Sequence, residues 1–239
     1  MRKLIEVLKK TPLKNSLIKL HANVHHVFDI YYYKKLVKSN EKLWKLVEYF
    51  NKTSNSTGID YGDIYYLYTK VKKIKPNFLL EFSTGASTAY IALALKEIQE
   101  LDSAYMPKYY ALEDHQGWIE HQRNIFPKDL SRCVEIIKSD ITVVKMGGVD
   151  MVEYSNMPEL PYEFIHVDGP NEDYGNQRVK NTIDILNTIN NNVLVVFDNR
   201  MASTHATINN IDNDKYIWDR TIKSFLIGNN IIKNKNKYI

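Results

Sequence analysis

The sequence predicts an α/β protein, built on a doubly wound, mostly parallel sheet with helices on both faces and a helical N-terminal extension. From residue 76 onward, short apolar runs alternate with amphipathic helical segments, as in chains that form parallel sheets. These runs are apolar along their length, which is typical of strands covered on both faces. Before residue 51, apolar residues instead recur three and four positions apart, which is the helical period.

The N-terminal region predicts helices separated by a polar loop. Apolar residues at helical spacing run through most of residues 1–50, and Asn40 precedes Glu41 as a helix N-cap. The segment 51–58, NKTSNSTG, predicts a loop, and the helix that follows it is ended by Pro76. We therefore expect a helical cap over residues 1–58 and an α/β domain over 59–239.

Five strands and three helices are predicted after Pro76. The predicted strands are, in chain order, NFLLEF, KYYALE, CVEIIKSD, YEFIHVDG and NNVLVVFDN. The helices between them are STAYIALALKEIQEL, QGWIEHQRNIF and QRVKNTIDILNTI. In the last forty residues, KYIWDRTIKSFLIGNNIIKN predicts two further strands that turn at Gly228-Asn229.

Composition narrows the classes of partner and compartment. The 239 residues are 44% apolar and 25% charged, an ordinary globular composition. The net charge of +4 is spread along the chain, so we expect a solvated surface and no nucleic-acid partner. Cys133 is the only cysteine, which excludes an internal disulfide and fits a reducing compartment such as the cytoplasm. No apolar run is long enough for a membrane span.

Acidic residues close the predicted strands on their C-terminal side. They are Glu81, Glu113, Asp140, Asp168 and Asp198. The C-terminal ends of parallel strands share one edge of a sheet, and ligands bind there near the point where the strand order reverses. The sequence therefore predicts a ligand site along this edge.

The turn after the first strand, EFSTGAST, combines one glycine with a group of hydroxyl side chains. We expect Gly85 to permit a tight reversal and close approach of a ligand. Ser83, Thr84, Ser87 and Thr88 supply hydroxyls at the start of a helix, whose N-terminus favours a negatively charged group. A single glycine is a poor match to a pyrophosphate-binding G-x-G-x-x-G turn. The alternative is a Ser/Thr helix cap without a ligand.

The second strand ends at Glu113, the place where an acid grips ribose hydroxyls in nucleoside-binding sheets. A carboxylate suits this role because it can accept hydrogen bonds from both hydroxyls. Trp118, early in the next helix, can pack over an adenine or belong to the core.

Four segments in this order, LLEFSTGAST, ALEDHQGW, FIHVDGP and VVFDN, resemble the Rossmann-like (class I) S-adenosylmethionine-dependent methyltransferases over about residues 76–200. The resemblance implies that S-adenosylmethionine is the cofactor. It implies that Glu81, Ser83 and Gly85 line the methionine end, that Glu113 holds the ribose, and that Asp140 lies near the adenine. Ser83 departs from the family pattern, which has a glycine at this position.

An oxygen acceptor needs a base or a metal, because a protonated hydroxyl is a poor nucleophile. Asp168, Asp198 and Asn199 offer hard oxygen ligands suited to Mg²⁺, and their spacing resembles the metal site of catechol-type O-methyltransferases. The alternative is that Asp198 and Asn199 form a turn and that Asp168 caps a loop. Without a metal, Asp168 is the preferred general base, and His205 is a second candidate.

The resemblance implies S-adenosylmethionine-dependent O-methylation of a small molecule or glycan, with Mg²⁺ as a possible second cofactor. Two alternatives stay open: metal-independent N-methylation, and a methyltransferase-like protein that binds a ligand without catalysis. Arg200 can pair with an anionic acceptor or with a surface acid. The tyrosine-rich segments FDIYYYKK and DIYYLYTK can pack helices onto the sheet, form a homodimer face, or act as a lid.

Overall fold

The computed structural model describes residues 27, 29–54, 59–170, 178–188, 192–198 and 200–211, together with the backbone of 216–219 and 224–227. The strands are β1 (Phe78–Phe82), β2 (Lys108–Glu113), β3 (Glu135–Lys138), β4 (Ile141–Met146), β5 (Val149–Tyr154), β6 (Phe164–Val167), β7 (Val193–Phe197), β8 (Tyr216–Asp219) and β9 (Ser224–Ile227). A π-helical turn, Asp29–Tyr33, precedes α1 (Lys34–Ser39), α2 (Glu41–Thr53), α3 (Tyr61–Ile74), α4 (Ala86–Leu101), α5 (Gln116–Ile125), α6 (Lys180–Thr188) and α7 (Met201–Asn209).

The main sheet has seven strands in the order β3-β2-β1-β6-β7-β9-β8. Strands β1, β2, β3, β6 and β7 are parallel, whereas β9 runs antiparallel to β7 and β8 antiparallel to β9. The order reverses between β1 and β6, which is where sheets of this kind bind ligands. The predicted doubly wound, mostly parallel fold is confirmed.

Both faces of the sheet are covered, which explains why its strands are apolar throughout. Leu79 and Leu80 are adjacent in β1 and fully buried, yet they belong to different apolar clusters. Leu79 lies in the cluster that includes α2, α3 and α4, and Leu80 in the cluster that includes α6. Alternate side chains of a strand point to opposite faces, so an apolar run is required where both faces are packed.

The N-terminal helices pack on the same face as α4. Val37 and Leu43 share a buried cluster with Leu79 of β1. The Asn40 side chain accepts a hydrogen bond of 2.9 Å from the Leu43 N–H, which confirms the predicted N-cap of α2. The predicted helices over residues 1–26, and the cap boundary at residue 58, lie outside the described residues.

One hairpin was not predicted from the sequence. Strands β4 and β5 pair antiparallel in a separate two-stranded sheet, and their closing pair, Met146 and Val149, leaves Gly147 and Gly148 as a two-residue turn. Both glycines have positive φ, 58° and 78°, as a type I′ turn requires. The Gly-Gly dipeptide was the sequence signal that would have identified it.

Two further features differ from prediction. Helix α7 was not predicted. It begins at Met201, two residues after position 199. The C-terminal strand pair differs from the predicted one, because β8 and β9 pair with each other and both precede Gly228. Gly228 and Asn229, where the turn was predicted, lie outside the described residues. Within the ranges given above, no helix is both long and apolar enough to cross a membrane.

Candidate functional site

The C-terminal ends of four strands lie side by side at the predicted edge. The Ser83 N–H donates to the Leu112 carbonyl of β2 at 2.7 Å, and the Asp168 N–H donates to the Phe82 carbonyl of β1 at 3.1 Å. The Asp198 N–H reaches the Val167 carbonyl of β6 at 3.0 Å. The β1–α4 loop and the segments after β6 and β7 are therefore held next to each other across the switch point.

Glu81 faces inward and forms the centre of a buried hydrogen-bond network. Its Oε1 accepts from Ser87 Oγ at 2.7 Å and lies 2.9 Å from His166 Nδ1. Its Oε2 accepts from Thr88 Oγ1 at 2.7 Å and from the Tyr109 hydroxyl. The carboxylate is fully buried. This network fixes the first turn of α4 to β1, β2 and β6, so it supports the edge from behind.

His166, in β6, is buried beside Glu81. Burial alone would lower its pKa, but the hydrogen bond to Glu81 and the negative charges of Glu81, Asp168 and Asp198 raise the pKa of His166 to about 9. At neutral pH His166 is therefore protonated and donates from Nδ1 to Glu81 within the sheet.

Glu113 anchors the β1–α4 loop. Its Oε2 accepts from the Thr84 N–H at 3.0 Å, from Thr84 Oγ1 at 3.3 Å and from Ser83 Oγ at 3.2 Å. Its Oε1 accepts from the His115 N–H at 3.0 Å. Burial raises the pKa of Glu113, and the backbone donors of His115 and Thr84 lower it by less. Trp118 adds a second anchor, because its Nε1–H donates to the Thr84 carbonyl at 2.6 Å.

The left-handed backbone conformation of the loop falls on Ser83, with φ of 90°, and not on Gly85. Gly85 is extended, with φ of −174° and ψ of −156°, which any residue can adopt. The expectation that Gly85 carries the tight reversal is therefore wrong. The Gly85 N–H donates to Thr88 Oγ1 at 2.9 Å, which caps the start of α4.

Asp168 lies at the end of β6 beside Arg200. Arg200 Nη2 donates to Asp168 Oδ1 at 3.2 Å and to the Asp168 carbonyl. Burial and the nearby charge of Asp198 raise the pKa of Asp168 to about 7, although His166 and Arg200 act in the opposite direction. A carboxylate with this pKa can accept a proton from a substrate near neutral pH.

The structure describes two of the three predicted metal ligands, Asp168 and Asp198. The Arg200 guanidinium forms an ion pair with the Asp168 carboxylate. Its positive charge would repel a Mg²⁺ ion bound at the same carboxylate. Asn199, the third predicted ligand, lies outside the described residues. Among the residues that are described, no group of three or more His, Cys, Asp or Glu side chains could hold a metal ion.

Two predicted site residues are exposed. Asp140 follows β3, but the chain continues there into the β4–β5 hairpin, and the carboxylate forms an ion pair of 2.5 Å with Lys138. His205 lies in α7, and its side chain is exposed while its neighbours Thr204 and Ala206 are buried.

The unpredicted hairpin adds Tyr154 to the site. The Tyr154 ring packs against Phe82 at the end of β1, with 5.2 Å between ring centroids. Its hydroxyl would lie 2.5 Å from a Cβ added at Gly169, and Ser83 Cβ would lie 2.9 Å from the same atom. Only a glycine therefore fits at position 169, and the Tyr154 hydroxyl lies over the junction of the loops that follow β1 and β6.

The charge of this edge is mainly negative. The Tyr154 phenol interacts electrostatically with Asp114, Glu113 and Asp168, and with Arg200 as the opposing positive charge. Such a surface favours a ligand that carries positive charge. Two cavities of about 690 and 530 Å³ lie elsewhere, and neither is lined by these residues.

Comparisons with known proteins show the fold. No family model and no curated protein matches the sequence. A putative O-methyltransferase from Klebsiella pneumoniae is similar in structure, with 14% identity and a TM-score of 0.51 over 84% of this chain and 96% of that chain. This likeness shows a shared fold.

Two further solved structures are similar at lower scores. The O-methyltransferase TomG from Streptomyces achromogenes, involved in tomaymycin synthesis and solved in complex with S-adenosylmethionine, has 16% identity and a TM-score of 0.46 over 78% of this chain and 77% of that chain. An O-methyltransferase from Bacillus cereus, solved in complex with S-adenosylhomocysteine, has 16% identity and a TM-score of 0.48 over 79% of each chain.

Proposed function

We propose that this protein is an S-adenosylmethionine-dependent methyltransferase that methylates a hydroxyl group of a small molecule or sugar. The observation that carries the proposal is the arrangement at the switch point. Glu113 and the Ser83–Gly85 loop lie on one side of it, and Asp168 lies on the other. The resemblance of these same segments to class I methyltransferases supports the assignment.

The residues present fit the cofactor. Ser83, Thr84, Gly85 and Glu113 would hold it, with Asp140 as the outermost contact. Ser87, Thr88 and Glu81 would keep the loop in place through the buried network. The negative charge of the edge complements a sulfonium and an ammonium group. When bound, the cofactor supplies an activated methyl group, so the protein's main task is positioning.

Asp168 is the proposed general base. Its pKa of about 7 leaves a useful fraction of carboxylate at neutral pH, and this carboxylate would take the proton of the acceptor hydroxyl. Arg200, which bonds both the carbonyl and the carboxylate of Asp168, would hold that side chain in position. His205 would serve only if the acceptor approached from the side of α7.

The first test measures cofactor binding by titration calorimetry with S-adenosylhomocysteine. We expect the wild-type protein to bind, and Glu113→Gln to bind at least about 10-fold more weakly, because a charged acceptor is lost. The exposed Asp140→Ala variant is the comparison, with a smaller loss expected. Absence of both binding heat and a melting-temperature shift in the wild-type protein would exclude the proposal.

The second test separates the enzyme from its alternatives. Asp168→Asn should abolish methyl transfer to hydroxyl acceptors while binding S-adenosylhomocysteine normally. Transfer to amines that survives this change would favour N-methylation, and binding without transfer to any acceptor would favour a non-catalytic protein. We expect EDTA to leave transfer unchanged. Loss of activity that Mg²⁺ restores would show that Arg200 releases Asp168 to a metal.

A further inference from the structure

Tyr154 is held firmly in a position that the proposed mechanism does not yet use. Its backbone N–H donates to Asn181 Oδ1 at 2.8 Å, and Asn181 Nδ2 donates back to the Tyr154 carbonyl at 3.0 Å. Asn181 is itself buried, and the Tyr154 ring rests on Phe82. Together these contacts fix both the main chain and the ring, so the direction of the hydroxyl is determined by α6 and β1.

The hydroxyl at the end of this side chain has no hydrogen-bond partner within the described residues, although the residue is only 2% exposed. Buried polar groups are nearly always paired, because an unpaired one loses its bonds to water without replacement. A nearby tyrosine shows the usual arrangement: the hydroxyl of Tyr162 donates to the Pro158 carbonyl at 2.5 Å. The Tyr154 hydroxyl is therefore an exception that needs a cause.

The position of the hydroxyl indicates that cause. It lies over the junction of Ser83 and Gly169, among the charges of Asp114, Glu113, Asp168 and Arg200. Burial, followed by these carboxylates, raises the pKa of Tyr154 well above its usual value, so the phenol keeps its proton and can donate it. A donor held beside the proposed ligand site, with no acceptor among the described residues, is suited to an acceptor atom on a ligand.

We propose that the Tyr154 hydroxyl donates a hydrogen bond to the cofactor bound over the Ser83–Gly169 junction. Tyr154 is then a cofactor-binding residue supplied by the β4–β5 hairpin, outside the four sequence segments that resemble the methyltransferase family. This inference rests on the proposed function, because it assigns the ligand of the same site. It also gives the hairpin a role, since β5 carries the side chain.

The experiment compares Tyr154→Phe with Tyr162→Phe, each of which removes one buried hydroxyl. The dissociation constant for S-adenosylhomocysteine is measured by calorimetry, and stability by urea denaturation without ligand. We expect Tyr154→Phe to weaken binding about 5- to 10-fold, as loss of one hydrogen bond does, with no loss of stability. Tyr162→Phe should show the reverse: lower stability and an unchanged dissociation constant.

Three outcomes overturn the inference. If Tyr154→Phe binds S-adenosylhomocysteine within twofold of wild type, the hydroxyl does not contact the cofactor. If Tyr154→Phe loses stability as Tyr162→Phe does, the hydroxyl has a structural partner in the protein. If the wild-type protein itself does not bind, the proposed function fails as well, and that result is read from the wild type alone.

Discussion

Ser83 occupies a backbone conformation that glycine adopts more readily than serine. Its φ of 90° lies outside the regions that side chains with a Cβ prefer, and the residue is held there by hydrogen bonds from its N–H to Leu112 and from its hydroxyl to Glu113. A glycine at this position would meet the same requirement without strain. The serine hydroxyl compensates in part by joining the anchor on Glu113.

We predict that Ser83→Ala is less stable than Ser83→Gly by about 1 kcal/mol, measured by urea denaturation. Both variants lose the hydroxyl bond to Glu113, but only glycine relieves the backbone. Ser83→Ala should also be less stable than wild type, since it keeps the strain and loses the bond. Equal stability of the two variants would mean that residue 83 does not have positive φ in solution.

His166 gives the protein a pH-dependent stability. Its pKa of about 9 in the folded state lies above the unfolded value near 6.5, so the folded state holds a proton that the unfolded state has lost. The stabilisation is complete below about pH 6.5 and is lost as the pH rises through about 9. The free energy of unfolding should therefore fall over this window, by at most about 1.4 kcal/mol per pH unit.

The matched variant is His166→Gln, which can still hydrogen-bond to Glu81 but does not titrate. Its stability should fall less steeply than that of wild type between about pH 6.5 and 9. The remaining slope near pH 7 comes from Asp168, whose raised pKa of about 7 also lies in this window, and the additional fall in wild type reports on the histidine. A wild-type stability that rises with pH over this range would contradict the buried ion pair.

At the scale of elements, the β4–β5 hairpin is the feature that distinguishes this chain from a plain alternation of strands and helices. It begins and ends at the C-terminal end of β3, where the Asp140 N–H donates to Ser155 Oγ at 3.1 Å. It also contacts α6, because the Asn181 side chain forms two hydrogen bonds with the Tyr154 backbone. The hairpin therefore forms part of one side of the candidate site through Tyr154.

We predict that Gly147→Ala destabilises the protein by about 1 kcal/mol, whereas Gly147→Asn is close to wild type. A Cβ at this position meets no atom within 4 Å, so the cost arises from the backbone φ of 58° alone. Asparagine tolerates this left-handed conformation better than alanine. Hydrogen exchange of the β4 and β5 amides provides the measurement, and equal exchange rates in both variants would exclude the type I′ turn.

The elements that could be predicted are those whose burial imposes an apolar pattern. β1 and β7 are packed on both faces, and their sequences are apolar apart from Glu81 in β1. β4 could not be predicted from an apolar pattern, because it lies outside the main sheet and is largely exposed. Val143, for instance, is 60% exposed. α7 could not be predicted for a different reason. Its buried face includes small polar residues such as Ser203 and Thr207, so apolar residues do not recur at helical spacing.

At the scale of the whole molecule, the parallel sheet was enough to predict that the acidic residues lie along one edge. It was not enough to predict which way each side chain points. Glu81 and Glu113 both close strands, yet Glu81 points into the packed face with His166, and Glu113 anchors the loop. Asp140 is exposed because the chain leaves β3 for a hairpin that was not foreseen. Such differences depend on strand register and on neighbouring elements, which a single sequence does not specify.

We predict that S-adenosylhomocysteine stabilises the molecule by mass action, by about 2.7 kcal/mol at a concentration 100 times its dissociation constant. The protection from hydrogen exchange should concentrate in residues 83–88, 113–118 and 168–170, which meet at the switch point. The basic groove near Lys42 and Lys128, on another part of the surface, serves as the internal control. Protection centred on that groove would place the ligand elsewhere.

The hairpin also makes the protein convenient for site-specific chromophore attachment. Cys133 is the single native thiol, and burial raises its pKa, which slows its reaction with maleimides. A Val143→Cys variant would present a fast-reacting thiol on the exposed strand that pairs with the one carrying Tyr154. A dye attached there would label the hairpin that carries Tyr154 without replacing any residue of the candidate site.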